Sequence, residues 1–209
     1  MVERGNFCKD FFVQFFVLPP PPPAEPPALA MTQLVLAIDQ GTTSSRAILF
    51  DKGSQIVAVA QEEFEQIMPR QGWVEHDPNE IWATTQRVVA DVLARVPSGA
   101  TVAAVGITNQ RETTVVWDKD TGEPLHNALV WMDTRTAGVC SRLVAEGAGT
   151  GLGKDRFRAQ TGLPIATYFS GTKLRWLLEE VPAVREAAAR GAARAGTVDA
   201  WLVWKLTGG

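Results

Sequence analysis

From Leu34 to Glu63, runs of apolar positions broken by polar turns predict three short strands. Leu34 to Ile38 is continuously apolar, ends in Asp39 and reads as a buried strand. The polar stretch Gln40-Gly41-Thr42-Thr43-Ser44-Ser45 follows, and a mostly apolar second strand runs from Arg46 to Phe50. Asp51-Lys52-Gly53-Ser54 is a turn signal, after which Gln55 to Glu63 reads as a third strand. Short strands joined by tight turns make an antiparallel meander. Pro69 to Pro78 is expected to be a loop, and His76 within it is assigned no role.

The period then changes. Asp77-Pro78-Asn79-Glu80 is a helix start, with Asp77 as N-cap, Pro78 at the first helical position and Glu80 spaced as in a capping box. Ile81, Trp82, Thr85, Val88, Val89, Val92, Leu93 and Val96 form a broad helical stripe, ended by Pro97 and Gly99. Val102 to Thr108 is the next strand, expected to be a parallel crossover strand because a long helix precedes it. Thr113–Trp117 and Ala128–Trp131 read as further strands. Thr136–Glu146 is helical in pattern, residues 147–153 are a glycine-rich loop, and Lys154–Thr161 reads as a short helix. Gly171–Val181 is expected to be a helix with Leu174, Leu177, Leu178 and Val181 inward, and Ala183–Arg194 an alanine-rich helix after Pro182. Strands alternating with helices define an α/β class. There is no internal repeat.

Composition narrows the function. The chain has 209 residues, 45% hydrophobic and 21% charged, normal for a globular protein that buries a core. A net charge of −3 with no basic block argues against nucleic acid as a partner. No apolar run is long enough to span a bilayer. The two cysteines, Cys8 and Cys140, make no disulfide framework, and no Cys/His cluster has metal-ligand spacing. A reducing compartment fits. Most of the seven tryptophans are expected in the core.

Residues 1–32 stand apart from this pattern. Phe11 to Leu18 is apolar but short, and Pro19 to Pro23 favours extended polyproline II. Ala28-Leu29-Ala30 has the small residues of a leader cleavage site, but five prolines separate it from the apolar run, and Lys9 and Asp10 cancel beside that run. The expectation is a disordered Pro-rich extension, or a start misplaced ahead of Met31, in preference to a signal peptide or an organelle-targeting segment. Residues 33–209 are expected to form the folded domain.

The chemistry concentrates where strands end. Gly41 allows close backbone approach, and Thr42, Thr43 and Ser44 offer a phosphate-sized set of donors. Asp39 is placed to hold a divalent cation directly or through water, and Arg46 to reach back with a fixed cation. The stretch is not a Walker A loop, since no Gly-Lys-Ser/Thr follows the glycine. On residues alone an ordinary hydroxyl-rich hairpin remains open. Arg111 and Glu112 sit at the carboxyl end of the predicted parallel strand, where α/β crevices form. Spacing alone favours an idle exposed ion pair there.

Beyond the residues themselves, Asp39-Gln-Gly-Thr-Thr-Ser-Ser-Arg46 resembles the phosphate hairpin of the FGGY carbohydrate kinases. Gly106-Ile-Thr-Asn-Gln-Arg-Glu-Thr-Thr114 is similar to the signature of the glycerol kinases within that family, as are Gly72–Pro78, Ile81-Trp-Ala83, Tyr168–Lys173 and the Thr197–Leu206 helix. The resemblance runs from Gln33 to Gly209. It implies the ribonuclease-H-like (actin-like ATPase) fold, as an incomplete N-terminal FGGY kinase domain. It implies ATP with Mg²⁺ as phosphoryl donor and glycerol as acceptor, giving glycerol 3-phosphate. Thr42, Thr43, Ser44 and Arg46 would hold phosphates and Asp39 would position Mg²⁺ through water. Arg111, Glu112, Tyr168 and Trp131 would form the glycerol pocket. The general-base acid is expected outside this chain, as is the second domain that contacts adenosine, so the isolated chain should be nearly inert and expose apolar surface. Many relatives carry a double arginine near Asp133 and Arg135, a mild departure, and no role is assigned there. A cytoplasmic enzyme is implied, with homo-oligomers possible for the complete form. Two other readings stay open: an FGGY kinase for another polyol or sugar, and a truncated, non-catalytic glycerol-binding module.

Overall fold

A computed structural model describes residues 32–209; residues 1–31 of the Pro-rich extension, with Cys8, lie outside them, and Thr32, counted in that extension from sequence, opens the first strand. The predicted meander forms: β1 (Thr32–Gln40), β2 (Ser44–Phe50) and β3 (Ile56–Glu63) pair antiparallel in sequence. Helix α1 (Pro78–Leu93) then crosses over to β5 (Ala100–Asn109), which lies parallel to β1 and completes a four-stranded sheet ordered β3-β2-β1-β5. β4 (Glu75–His76) lies before that helix. It converts the expected loop into a two-stranded ladder with β7 (Ala128–Leu129).

Alternation decides which side of the sheet is covered. Leu34, Leu36 and Ile38 of β1 and Ala47 and Leu49 of β2 point to one face and are buried beneath Ile81, Val88 and Val92 of α1. Helix α6 (Val198–Thr207) packs Val198, Trp201 and Leu202 into the same core. Val35, Ile56 and Val59 belong to the opposite face and are 43%, 60% and 39% exposed, so no described residue covers it.

Helix α1 starts as its sequence dictates, with the Asp77 carboxylate accepting from Asn79 N at 2.8 Å. The capping box does not close. Glu80 instead accepts from the backbone N–H of Glu65 at 3.2 Å, which ties the helix to the end of β3. The helix stops at Leu93, before the expected Val96, and residues 94–96 finish in a turn.

A second, smaller core joins Val116 and Leu129 to Leu177 and Val184. It is built from β6 (Val115–Asp118), β7 and α4 (Ser170–Glu180), with α5 (Pro182–Ala189) beside them. The alanine-rich stretch expected to stay helical to Arg194 breaks after Ala189. Gly191 takes a left-handed φ of 70°, and β8 (Ala193–Gly196) pairs antiparallel with β6. Satisfying the backbone of buried β6 outweighs alanine's helix propensity there. β6 begins two residues later than expected, because Thr113 and Thr114 bond across to Trp131 and Leu129. Leu178, expected inward, is 44% exposed. Helix α2 (Ala137–Glu146) matches the sequence closely, while the expected helix over 154–161 is a 3₁₀ turn and the single-turn α3 (Arg158–Thr161).

Candidate active site

The sheet delivers its chemistry at one edge. Parallel pairing of β1 with β5 sets Gln40 beside Asn109, and Gln110 N donates to Gln40 O at 2.7 Å. The turn after β1 and the turn after β5 are therefore neighbours. In the first, Gly41 N donates to Ser44 O at 3.0 Å, and a Cβ at Gly41 would lie 3.3 Å from that same oxygen. The reversal is tight enough to favour glycine.

A cavity of about 330 Å³ opens between these turns, lined by Thr42, Asn109, Gln110, Arg111, Trp131 and Tyr168. Trp131 and Tyr168 meet edge to face with centroids 5.8 Å apart and form an aromatic wall. The Trp131 indole N–H donates to Thr42 Oγ1 at 3.1 Å. Four residues singled out in the sequence thus share one wall: Thr42, Arg111, Trp131 and Tyr168. Arg111 is exposed and forms no ion pair among the described residues, so it is not the idle surface pair that its spacing with Glu112 suggested. Glu112 has a φ of 62°, the left-handed region that a non-glycine residue enters only when its surroundings demand it. Its Oε2 is buried without a hydrogen-bond partner. Unlike the four residues above, Glu112 does not line the cavity, and its unpartnered oxygen is buried away from it.

The other predicted residues are more dispersed. Asp39 and Arg46 are a cross-strand pair on the open sheet face, Nη1 to Oδ2 3.6 Å, both about two-fifths exposed. Arg46 Nε also donates to Gln61 Oε1 at 3.1 Å. Ser44 is buried and its hydroxyl accepts from Gln61 Nε2 at 3.0 Å, while Thr43 is exposed at the tip of the turn. Among the described residues no group of three or more His, Cys, Asp or Glu side chains could hold a metal. A lone accessible carboxylate beside a hydroxyl-rich turn fits Mg²⁺, which keeps several waters and relies on substrate phosphates.

Three features escaped sequence reasoning. Arg135 is the first. Its side chain is fully buried, paired at 2.8 Å with both Glu75 and Asp133, and its guanidinium lies 3.9 Å from the Trp73 ring centroid and 4.9 Å from that of Trp176. Asp133 also accepts from Val74 N at 2.7 Å, so this clamp pins the loop after Trp131 to the strand carrying Glu75. Lys173 is the second. Buried on α4, it donates to Thr167 O at 2.9 Å and Tyr168 O at 2.5 Å and so fixes the segment that presents Tyr168. Burial lowers its ammonium to about 8, against the opposing pull of Asp133 and Glu112. The third is His76, buried between Gln66 and Gln110, where desolvation lowers its pKa to about 4. The Asp…Arg spacing at 133–135 was the available signal; His76 sits between the charged Glu75 and Asp77, which gives no hint of its burial.

The hydroxyl turn and the polar cavity thus lie together at the carboxyl ends of β1 and β5, where α/β domains place their ligand crevices. The sequence model described as "FGGY family of carbohydrate kinases, N-terminal domain" matches residues 34–209, and the chain belongs to that family. Its fold is accordingly the actin-like, ribonuclease-H-like N-terminal domain. The chain is 58% identical over 180 residues to a glycerol kinase of Brucella anthropi, covering 86% of this chain and 35% of that protein. It is 56% identical over 176 residues to a glycerol kinase of Burkholderia pseudomallei, covering 84% and 34%. A crystal structure of Plasmodium falciparum glycerol kinase with ADP superimposes with a TM-score of 0.76 at 34% identity, over 85% of this chain and 35% of that one. Xylulose kinase from Rhodospirillum rubrum gives a TM-score of 0.69 at 28% identity, over 82% and 33%. The chain spans about a third of the length of the curated relatives it matches.

Proposed function

We propose that this chain is the acceptor-binding part of a kinase that moves the γ-phosphoryl group of ATP to a terminal hydroxyl of glycerol, giving sn-glycerol 3-phosphate. The observation that supports it most directly is the cavity that Thr42 of the phosphate turn shares with Arg111, Trp131 and Tyr168. A phosphoryl donor held at the turn and a polyol in the cavity are adjacent, and positioning of that kind is most of what phosphoryl transfer asks of a protein.

In this reading Arg111 donates to glycerol oxygens, and the Glu112 carboxylate, which does not line the cavity, turns its buried, unpartnered Oε2 toward it to accept from a glycerol hydroxyl. Trp131 and Tyr168 cover the carbon face. Thr42, Thr43 and backbone N–H groups of the turn donate to phosphate oxygens, and Arg46 joins them by giving up its long contact with Asp39 and its hydrogen bond to Gln61. Ser44 contributes through the shape of the turn, since its hydroxyl is engaged by Gln61. Asp39 would hold Mg²⁺ through water, and the bound ion would neutralise charge on the phosphates. The acid that takes the glycerol proton belongs to the portion of the relatives that this chain does not span. No described helix is long and apolar enough to cross a membrane, and a cytoplasmic enzyme that forms homo-oligomers when complete fits the reading.

The likeness to a xylulose kinase supports a second reading, a kinase for another polyol or sugar. Comparing glycerol with pentuloses as substrates of the whole protein separates the two. Within the first reading, Arg111→Ala is expected to raise the glycerol KM about 10- to 100-fold, the worth of a charge-assisted hydrogen bond of ~1.5–3 kcal/mol, while the ATP KM changes little. An unchanged glycerol KM would remove Arg111 from the pocket.

A further inference from the structure

Six residues close a ring of hydrogen bonds behind the cavity. Gln66 Nε2 donates to Thr42 O at 3.1 Å. His76 Nε2 and Gln66 Oε1 are 2.9 Å apart, and Gln110 Nε2 and His76 Nδ1 3.2 Å. Thr113 Oγ1 donates to Gln110 Oε1 at 3.0 Å and accepts from Trp131 N at 3.1 Å. The Trp131 indole N–H returns to Thr42 Oγ1. Three members, Thr42, Gln110 and Trp131, also line the cavity.

The ends of this ring fix its direction. The Thr42 carbonyl can only accept, so Gln66 presents its amide nitrogen there and its oxygen to His76. His76 must then carry its proton on Nε2 and accept on Nδ1. Gln110 consequently offers nitrogen to His76 and oxygen to Thr113, whose hydroxyl donates and in turn accepts the obligatory donor Trp131 N–H. Every link is satisfied with one tautomer of a neutral imidazole. A proton on Nδ1 would face the Gln110 amide donor, and burial already disfavours the charged ring. At the far end, Thr42 Oγ1 accepts from the indole, which leaves its own hydrogen to donate outward into the cavity.

We propose that His76 is a positioning residue. Through Gln66 and Gln110 it holds Thr42 of the phosphate turn and Trp131 of the acceptor wall in fixed relation, and sets the Thr42 hydroxyl as a donor toward the transferred group. The ring links segments far apart in sequence, Thr42 to Gln66 and Trp131 to Thr113, and the rigid imidazole of His76 joins its two glutamines, donating to Gln66 and accepting from Gln110. This inference rests on the kinase reading above.

The test uses Gln66→Met, which opens the ring at a half-buried position and spares the fold, together with His76→Phe. In the whole protein, each is expected to lower kcat about 10- to 100-fold, the cost of misplacing two reactants slightly, with KM for glycerol and for MgATP within about threefold of the original. Because both open the same ring, the double variant should be no slower than the slower single one. Wild-type kcat in Gln66→Met, or losses that multiply in the double variant, would overturn the proposal. A second readout is independent of turnover. In the 209-residue chain, the ¹H–¹⁵N resonance of the Trp131 indole should shift in Gln66→Met, although Gln66 reaches Trp131 only through other members of the ring. An unmoved resonance also overturns it. If the unaltered whole protein does not phosphorylate glycerol, the kinase reading fails, and the indole resonance still decides whether the ring transmits.

Discussion

Replacing Arg135 by alanine should be among the most damaging single changes in the chain. Its side chain is fully buried, and so nearly are its two acidic partners, at 0% for Asp133 and 7% for Glu75. Removing one member of such a cluster strands charge in a poorly solvated place, a loss of ~3–5 kcal/mol. The two indoles on the guanidinium lose their cation contact as well, which adds up to ~2 kcal/mol at a desolvated site. One guanidinium nitrogen, Nη1, has no partner, which trims the favourable side of the ledger slightly. A net loss of ~4 kcal/mol is a large share of the ~5–15 kcal/mol that holds a domain together. With a urea slope of ~2 kcal/mol/M, the unfolding midpoint falls by about 2 M. Urea titration followed by far-UV dichroism measures this, and tryptophan emission adds a local report because Trp73 and Trp176 are the partners. Arg135→Lys keeps the charge but not the planar fork, and should fall in between. Arg87→Ala, which breaks an exposed pair with Glu62, is the control and should leave the midpoint nearly in place. A fall no larger than the control's would mean that water reaches the Arg135 cluster and that its burial has been misjudged.

Two further outcomes follow from single residues. His76 is held near 4 in the fold, against 6.5 when unfolded, so the unfolded chain takes up a proton that the folded chain refuses. Its contribution is complete above pH 6.5 and is lost as pH falls toward 4, amounting to ~3 kcal/mol over that window; urea midpoints at pH 7 and pH 5 should differ far more in the native chain than in His76→Phe. Gly72 has a φ of 78°, and a Cβ there would run into Thr134 Oγ1; Gly72→Ala should therefore cost ~1–3 kcal/mol in the same titration, and a neutral result would mean the loop relaxes freely.

The parts of this molecule that were legible in its sequence are those whose causes are local. The Leu34–Phe50 hairpin, the Asp77 cap and the stripe of α1 each follow from neighbours a few residues apart. The turn bearing Thr42 and the Arg111-Glu112 pair could be picked out because unusual residue types cluster at strand ends. The convergence of Thr42 and Arg111 on one cavity with Tyr168 and Trp131 came from resemblance and not from pattern, and Glu112 stays outside that lining. Arg135, Lys173 and His76 were left without roles for the opposite reason. Each acts on partners brought near by folding, such as Gln66 and Gln110 around His76, and no periodicity marks a residue whose purpose lies across the core. The strand at Ala193–Gly196 was hidden likewise: nothing in an alanine-rich run announces that β6 needs a backbone partner.

The parallel pairing of β1 with β5 carries a consequence for assembly. The meander closes through turns of a few residues, whereas Gln40 finds Asn109 only after some seventy residues of intervening chain. Loop closure on that scale is slow compared with hairpin formation. During synthesis the hydroxyl turn is therefore made before β5 docks beside it, and Trp131, Tyr168 and the clamp around Arg135 arrive later still. The turn is the template and the cavity is laid against it, so a chain arrested before residue 131 would lack the aromatic wall of the cavity.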